Sequence, residues 1–333
     1  MIAVVGAGLA GVASALALQQ AGADVVVIGA DAPARPAVGE SLPAASMRIL
    51  RDLGVADVLD DVPHLRCAGH ASAWSGPEVE TRSALLDPEG PGWLIDRTAF
   101  DAALRRKMEE RGICWHRASV RAVRREPDGV ALVTGGGVLD ADEVIDATGR
   151  AATLARSLGA RRHFGDRVVA RVRWGQLATD DARTLVEAVE EGWWYTARLP
   201  DDRIVCALHT DPAHAGAVRS DGAWEDALRR SVHVRAAVEG ARWTDGLTAD
   251  ASPSWLDTAA GDRWLAVGDA AQAFDPIGSQ GMFHALYTGL RGAEALLNGT
   301  TEEYLERLRT IRETHAGQRA WVLSQARTRA RGR

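Results

Sequence analysis

The chain has almost no lysine, few cysteines and, beyond its first 18 residues, no long apolar run. Among its 39 basic residues only Lys107 is a lysine, so chemistry that needs a neutral side-chain amine has one candidate. The three cysteines, Cys67, Cys114 and Cys206, are too scattered for a disulfide framework or a metal site, as is usual in a reducing compartment. The net charge of -6 gives no indication that the protein binds nucleic acid or an anionic membrane surface. These absences predict a cytoplasmic protein with no membrane, metal or nucleic-acid partner.

The first 31 residues predict a strand, a helix and a second strand. Ile2–Val5 is a short apolar run, Leu9–Ala21 is rich in alanine and leucine, and Asp24–Ile28 is rich in β-branched residues. A G-x-G-x-x-G spacing separates the first strand from the helix, with its glycines at Gly6, Gly8 and Gly11. This context is typical of a dinucleotide site, where the glycine turn and the helix N-terminus approach a pyrophosphate. A signal peptide or membrane anchor is the alternative, but it would need a basic start that the chain lacks.

The carboxylate that usually holds the ribose of such a site is displaced here. An acidic residue normally ends the second strand, but Gly29 stands at that position and the nearest carboxylate is Asp31. Either Asp31 reaches the ribose or the backbone alone holds it.

A second glycine-bearing stretch, Trp264–Leu290, completes the predicted site. Its apolar strand delivers Gly268 and Asp269 at the carboxyl end, where open α/β sheets bind ligands, and Asp269 is placed to accept a hydrogen bond from a ribityl hydroxyl. The turn Asp275-Pro276 then leads to a helix opening at Gly278–Gly281. The N-terminus of this helix is expected to stabilise negative charge on a reduced flavin ring.

The order of elements predicts an α/β protein with a mixed-β substrate domain. Parallel βα elements come first, mixed strands occupy the middle, and a βα element returns near the end. We expect a Rossmann-like FAD-binding domain of residues 1–60, 92–155 and 256–300, interrupted by a substrate domain of residues 61–91 and 156–255. Residues 301–333 predict a C-terminal helical segment.

The two glycine stretches together resemble the flavoprotein monooxygenase superfamily of para-hydroxybenzoate hydroxylase and the flavin-dependent halogenases. Three further segments are similar to family segments that contact or underlie the flavin nucleotide: Gly39-Glu40-Ser41, Gly92–Arg97 and Glu143–Arg150. The resemblance implies FAD as the cofactor. Its implied contacts are Gly6, Gly8, Gly11, Asp31, Glu40, Ser41, Arg97, Gly268, Asp269, Pro276, Gly278, Ser279, Gln280 and Gly281.

Within the superfamily the chain is similar to a short halogenase-like subgroup that includes the flavoproteins of tryptophylquinone maturation. Ser72–Trp74, Gly192–Ala197 and Asp275–Gly281 carry this similarity. It implies that reduced FAD and O₂ form a flavin C4a-hydroperoxide, whose distal OH an oxygenase transfers to an aromatic ring. The electrons come either from NAD(P)H directly or from a partner flavin reductase, because members of the superfamily use both routes.

Lysine decides between oxygenase and halogenase, because a flavin-dependent halogenase passes hypohalous acid to a lysine beside the substrate. Lys107 lies in a charged run and is predicted to be solvated, and residues 40–93 contain no lysine. Arginine stays protonated and cannot replace it. Trp193–Pro200 also departs from the tryptophan-rich halogenase signature. We therefore expect a monooxygenase that hydroxylates an indole- or phenol-like substrate, peptide-borne tryptophan included. Halogenation, or an oxidase or reductase activity on the same fold, is the alternative.

Aromatic and titratable residues outside the two glycine stretches are candidates for the substrate site. The candidates for substrate contacts are His70, Trp74, Trp194 and Tyr195. The candidates for catalysis are Glu40, Trp74, His209 and Gln280, with His209 as a general base near neutral pH. The alternative for each tryptophan is a place in the core, and for His209 a purely structural role.

Overall fold

The computed structural model describes residues 1–30, 38–74, 76, 78–244 and 246–331. Its strands are β1 (Ile2–Val5), β2 (Val25–Ile28), β3 (Ser41–Leu42), β4 (His64–Arg66), β5 (Gly69–Ala73), β6 (Glu80–Ser83), β7 (Trp93–Ile95), β8 (Cys114–His116), β9 (Val120–Glu126), β10 (Gly129–Thr134), β11 (Gly137–Ala141), β12 (Glu143–Asp146), β13 (Arg162–Phe164), β14 (Val169–Gln176), β15 (Arg183–Val189), β16 (Gly192–Leu199), β17 (Arg203–Thr210), β18 (Arg242–Trp243), β19 (Leu247–Asp250), β20 (Ser254–Leu256), β21 (Ala260–Gly261), β22 (Trp264–Ala266) and β23 (Gln272–Ala273).

The α-helices are α1 (Leu9–Gln20), α2 (Ser46–Asp52), α3 (Arg97–Glu110), α4 (Thr153–Ser157), α5 (Asp221–Arg230), α6 (His233–Ala237), α7 (Gly281–Asn298) and α8 (Thr301–Arg331). Short 3₁₀ helices occupy Ala56–Leu59, Ala84–Leu86, Gly149–Ala151, Pro212–Val218, Gly268–Ala270 and Pro276–Gly278. Within the described residues, no helix is long and apolar enough to cross a membrane.

A six-stranded sheet in the order β21-β22-β12-β1-β2-β8 forms the nucleotide-binding half. All its neighbouring strands are parallel except the β21–β22 pair. β1 and β2 are buried along their whole length, which explains their unbroken apolar sequences. Strand β2, which follows β1 in the chain, pairs with β1 on one side, and β12 pairs with β1 on the other. The carboxyl end of β1 is therefore the point where strand order reverses and where such sheets bind ligands.

Helices α1 and α7 pack against each other beside this sheet. A Cβ on Gly289 of α7 would lie 2.4 Å from the carbonyl oxygen of Ala10, so only glycine allows this approach. The Ser14 hydroxyl donates a hydrogen bond of 2.9 Å to the Gly289 carbonyl across the same contact. The two glycine-bearing stretches found in the sequence are thereby joined into one unit of structure.

A sheet in the order β18-β14-β17-β16-β15-β5-β6, with β19 added beside β14, forms the other half. Its pairs are antiparallel except for the β15–β5 pair. On its outer face Trp194 packs against Trp224 of α5, with ring centroids 5.1 Å apart. The inner face of this sheet looks towards the nucleotide-binding half and forms one wall of the cavity described below.

The predicted fold class, α/β with a mixed-β substrate domain, is confirmed. The six strands of the first sheet come from the three segments that we assign to the FAD-binding domain. The second sheet comes from the two segments that we assign to the substrate domain, and we keep that division as a proposal.

Two local expectations differ from the structure. The helix expected to open at Gly278 begins at Gly281, because Pro276–Gly278 forms a separate 3₁₀ turn and Ser279 is left-handed, with φ +50°. Strand β15, which the pattern did not predict, lies in the middle of the sheet and alternates only weakly between polar and apolar residues.

Candidate functional site

A cavity of about 470 Å³ opens between the two halves of the protein. One end is formed by the turns after β1, β12 and β22 and by the N-termini of α1 and α7. The other end is formed by inward side chains of the eight-stranded sheet: Ala170, Val172, Val186, Trp193, Tyr195, Val205, Ala207 and His209. The cavity therefore joins the predicted cofactor site to an apolar and aromatic wall.

The glycine turn at the start of the chain has the shape that a bound pyrophosphate requires. Gly6 has φ +116°, and a Cβ there would lie 2.2 Å from the carbonyl oxygen of Ala147. A Cβ on Gly11 would lie 1.8 Å from the carbonyl oxygen of Gly6. Gly8 instead faces open space, with nothing within 4 Å of its Cβ position, and it lines the cavity. Gly6 and Gly11 thus close the turn, and Gly8 leaves the backbone open to a ligand.

Asp269 lies at the same end of the cavity, in the 3₁₀ turn that follows β22. Arg162 fixes this turn by donating to the carbonyl oxygens of Asp269 and Ala270 at 3.0 and 2.6 Å. The Asp269 carboxylate lies 3.7 Å from Arg150 Nε, and 41% of the side chain is reached by solvent through the cavity. Surrounding protein nevertheless raises the pKa of Asp269, with Arg150 opposing this effect. The carboxylate is thus available to a polar ligand group, as a ribityl hydroxyl would be.

The turn before α7 forms a third side of the cavity through Pro276, Ile277, Ser279 and Gly281. Asp275 caps the turn, since its Oδ1 accepts a hydrogen bond of 3.3 Å from the Ile277 N–H. The first residues of α7 carry backbone N–H groups without a partner inside the helix, which is a favourable environment for negative charge.

Two residues of this turn lie elsewhere than predicted. Gly278 and Gln280 are exposed and lie outside the cavity wall, although the sequence places them with the FAD contacts. The 3₁₀ turn rotates them away from the cavity and presents their neighbours Ile277, Ser279 and Gly281 instead. The catalytic role expected of Gln280 therefore has no support from its position.

Glu40 and Arg97 border the cavity where its two ends meet. Glu40 is buried, with Oε1 accepting from the Trp174 indole N–H at 2.9 Å and Oε2 accepting from the Gly39 N–H at 3.1 Å. Burial raises the pKa of Glu40, although these hydrogen bonds and Arg97 oppose the shift. Arg97 donates to Asp101 at 2.8 Å and to the carbonyl oxygen of Gly39 at 3.3 Å, so it fixes the loop that carries Glu40. Ser41 lines the cavity beside them.

His209 and Trp193 form the aromatic part of the wall. Their rings stack with centroids 4.8 Å apart and planes 9° apart. Burial lowers the pKa of His209 to about 4, and within the described residues its Nδ1 has no hydrogen-bond partner. The imidazole is therefore neutral at pH 7 but a weak base, because its pKa lies well below that pH, and this suits a hydrogen-bonding role better than the general-base role expected near neutral pH.

Tyr195 also lines the cavity, and burial raises the pKa of its phenol. Trp194 does not: it is fully buried on the opposite face of the sheet, against Trp224. The expectation that Trp194 contacts a substrate is therefore wrong, and it is Trp193 that lines the cavity. The reason is the alternation of side chains along β16, which sends neighbouring residues to opposite faces.

The remaining candidates lie around the cavity or outside it. His70 is exposed, and its Nδ1 lies 2.8 Å from the Thr184 hydroxyl. Trp74 packs edge-on against Trp193 at 6.4 Å between ring centroids and donates its indole N–H to the Val322 carbonyl of α8, so it supports the wall from behind. Asp31 lies outside the described residues.

Lys107, the chain's one lysine, does not line the cavity. Its Nζ lies 2.6 Å from Asp57 and 3.2 Å from Asp61, and these carboxylates raise the pKa of the amine. Among the described residues no group of three histidines, cysteines or acids is placed to hold a metal ion.

Comparisons with known proteins agree with this geometry. The family model described as FAD binding domain matches residues 1–287. The 3-amino-4-hydroxybenzoate 2-monooxygenase PtmB3 of Streptomyces platensis is 29% identical, with 94% of this chain and 85% of that protein covered. These matches confirm the resemblance inferred from the two glycine stretches.

Two solved structures extend the comparison. The flavin-dependent halogenase CmlS is 26% identical with a TM-score of 0.83, covering 95% of this chain and 62% of that one. The peptidyl tryptophan dihydroxylase QhpG is 27% identical with a TM-score of 0.71, covering 98% of this chain and 73% of that one. This chain thus spans less than two thirds of the halogenase.

Proposed function

The chain belongs to the FAD binding domain family of oxidoreductases, and we propose that it is a monooxygenase that hydroxylates a neutral aromatic substrate. The substrate is an indole or a phenol, either free or carried on a peptide. One observation carries the proposal: the glycine turn and two helix N-termini share a cavity with an aromatic wall, and the chain's one lysine lies outside it.

The residues at the first end of the cavity suit FAD. The Gly8 backbone and the N-terminus of α1 would hold the pyrophosphate, and Asp269 would accept a hydrogen bond from the ribityl chain. The N-terminus of α7 would stabilise negative charge on the reduced ring. Reduced FAD supplies the activation of dioxygen when it is bound, and the protein supplies position and exclusion of water.

The reaction balances as a monooxygenation. An aromatic C–H becomes C–OH, one oxygen atom of dioxygen enters the product and the other leaves as water. Two electrons come from NAD(P)H, either directly or through a partner flavin reductase. In this reaction the apolar wall excludes water from the ring, while neutral His209 forms a hydrogen bond with an O–H or N–H of the substrate. Glu40, whose pKa is raised, is the group that we assign to proton transfer at the junction of the two ends.

The charges of the cavity support a neutral substrate. Among the described residues its wall has two arginines, and both are already used. Arg97 pairs with Asp101, and Arg150 donates to the carbonyl oxygens of Ser252 and Phe274 at 2.6 and 3.1 Å. A substrate carboxylate at the aromatic wall would find no free cation, and burying an unpaired charge costs several kcal/mol. We therefore expect a substrate without the carboxylate that the name of the Streptomyces relative implies.

The test loads the purified protein with FAD and supplies NADPH or a flavin reductase, with labelled dioxygen. The substrates are indole, phenol and a tryptophan-containing peptide. Each is compared with an analogue that carries a carboxylate on the aromatic ring. The expected product contains one labelled oxygen atom and forms at least tenfold faster from the neutral member of a pair. Faster conversion of the carboxylates, or no oxygenated product from any neutral aromatic, would contradict the proposal.

Halogenation is the second candidate, because the halogenase CmlS is similar over 95% of this chain. Adding chloride or bromide to the same reaction distinguishes the two, since a halogenated product would identify a halogenase. We favour oxygenation because Lys107 is held at the surface by Asp57 and Asp61. A reductase acting on a quinone or a prenyl chain would instead oxidise NAD(P)H under nitrogen, where a monooxygenase gives no product.

A further inference from the structure

The second half of α8 contacts the turn 275–281 from outside the cavity. Arg319 of α8 forms an ion pair with Asp275, the residue that caps the turn before α7. We propose that Arg319 is a positioning residue, which holds Asp275 and thereby fixes the turn 275–281 against the flavin ring. The inference rests on the proposed function, because it takes the ring to lie beside this turn.

The Asp275 carboxylate links α8 to the turn through its two oxygens. The Asp275 side chain is completely buried, and Arg319 is only 14% exposed. Oδ2 accepts from Arg319 Nε, while Oδ1 accepts from the Ile277 N–H at 3.3 Å. Asp275 lines the cavity but Arg319 does not. Arg319 therefore reaches the cavity wall through Asp275.

A second side chain of α8 holds the preceding residue. His315 lies one helical turn before Arg319, on the same face, and its ring stacks on Phe274 with centroids 4.2 Å apart. From inside the protein, Arg150 donates to the Phe274 carbonyl at 3.1 Å. Residues 274 and 275 are thus fixed from both sides, and both line the cavity together with the turn that follows them.

The turn itself needs such support. Ser279 has φ +50°, a conformation that costs a residue other than glycine free energy and persists only where the surroundings enforce it. Asp275 is a buried carboxylate, and losing its cation would leave an uncompensated charge beside the cavity. Without Arg319 the buried carboxylate has no charge partner and is expected to draw in water or to shift, and either change would move the turn.

The experiment compares Arg319→Met with Arg319→Lys, which keeps the charge. Asp166→Asn is the matched control, since it removes the other, exposed partner of Arg319 at 2.7 Å and leaves the Asp275 pair intact. The readouts are the affinity for FAD, the rate at which dioxygen reoxidises reduced FAD, and the dependence of that rate on pH. These measurements need no aromatic substrate. Failure to find a hydroxylated product would therefore count against the proposed function alone.

We expect Arg319→Met to keep the FAD affinity within about threefold and to change the reoxidation rate by about tenfold or more. Arg319→Lys should lie within about threefold of the wild type, and Asp166→Asn should match it. A wild-type reoxidation rate and pH profile in Arg319→Met would overturn the proposal.

A double variant separates positioning from simple anchoring of α8. If Arg319 acts through Asp275, adding Arg319→Met to Asp275→Asn should change the reoxidation rate less than twofold. Independent effects of the two substitutions would mean that Arg319 only anchors the helix. If Arg319→Met alone does not fold, Asp275→Asn/Arg319→Met, which leaves no unpaired carboxylate, still allows the comparison with Asp275→Asn.

Discussion

The buried imidazole of His209 makes the stability of the protein depend on pH in a way that one substitution should remove. The ring is 5% exposed, stacks on Trp193, and has a pKa of about 4. In the unfolded chain the pKa of a histidine is about 6.5. Above pH 6.5 the ring is neutral in both states and contributes nothing. Between pH 6.5 and 4 the unfolded chain binds a proton that the folded chain does not, so stability falls as the pH falls.

The size of the effect follows from the two pKa values. At about 1.4 kcal/mol for each pH unit, the wild type should lose roughly 3 kcal/mol through His209 between pH 7 and 4. His209→Phe keeps a ring for the stack on Trp193 but cannot titrate. The difference in unfolding free energy between the variant and the wild type should therefore move by about 3 kcal/mol in favour of the variant over this range. Contributions from all other titrating groups cancel in that difference.

Urea unfolding of the cofactor-free protein at several pH values, followed by tryptophan fluorescence and circular dichroism, measures the difference. His163→Phe is the matched control, because His163 also stacks on a tryptophan, Trp255, but belongs to an exposed strand. A constant difference between His209→Phe and the wild type from pH 7 to 4 would refute a neutral, buried His209. It would also remove the reason to assign this side chain a hydrogen bond with a neutral substrate.

Three further predictions concern the cofactor and the chemistry. Gly8→Val should fold normally, because the Cβ position is open, but should lose FAD by at least about a hundredfold in affinity, as measured by flavin fluorescence. The Cβ position of Gly281 is equally open, so Gly281→Val should keep FAD. The amount of product formed per NADPH should fall by on the order of a hundredfold, with hydrogen peroxide released instead. A wild-type ratio of product to NADPH would mean that the flavin ring lies elsewhere. Lys107→Ala should leave product formation within about threefold of the wild type, and loss of a chlorinated product with FAD retained would identify a halogenase.

The sequence predicts the parts of this site that depend on the local backbone. Gly6, Gly8 and Gly11 are recognisable because a turn, an open approach and a close helix contact each require glycine at a fixed spacing. The place of Asp269 follows in the same way from an apolar strand that ends at a glycine. Such constraints act between residues close together in the chain, so they leave a readable pattern.

The substrate end could not be predicted as well, because it depends on register and on contacts distant in sequence. Trp193 and Trp194 are chemically identical, and only the pairing of β16 with β17 decides that Trp193 faces His209. A shift of one residue would exchange them. Gly192 sets this register, since a Cβ there would lie 1.9 Å from the His209 carbonyl oxygen. The glycine before the tryptophan pair is thus the sequence feature that fixes which tryptophan faces the cavity. It can be interpreted only when the partner strand is known.

Arg319 is still harder to find, because it acts across 44 residues of chain on a carboxylate that the sequence marks only as part of a turn. In a helix with basic and acidic residues along most of its length, no local feature distinguishes this arginine from its neighbours. Burial distinguishes it: Arg319 is 14% exposed, whereas Arg309, two to three turns earlier, is 54% exposed and pairs with Glu306 of the same helix. A surface ion pair of the second kind contributes about 0.2–1 kcal/mol at most, whereas a buried one leaves an uncompensated charge when it is broken. The contrast explains why a position that looks like ordinary helix surface in the sequence is expected to control the chemistry of the cavity.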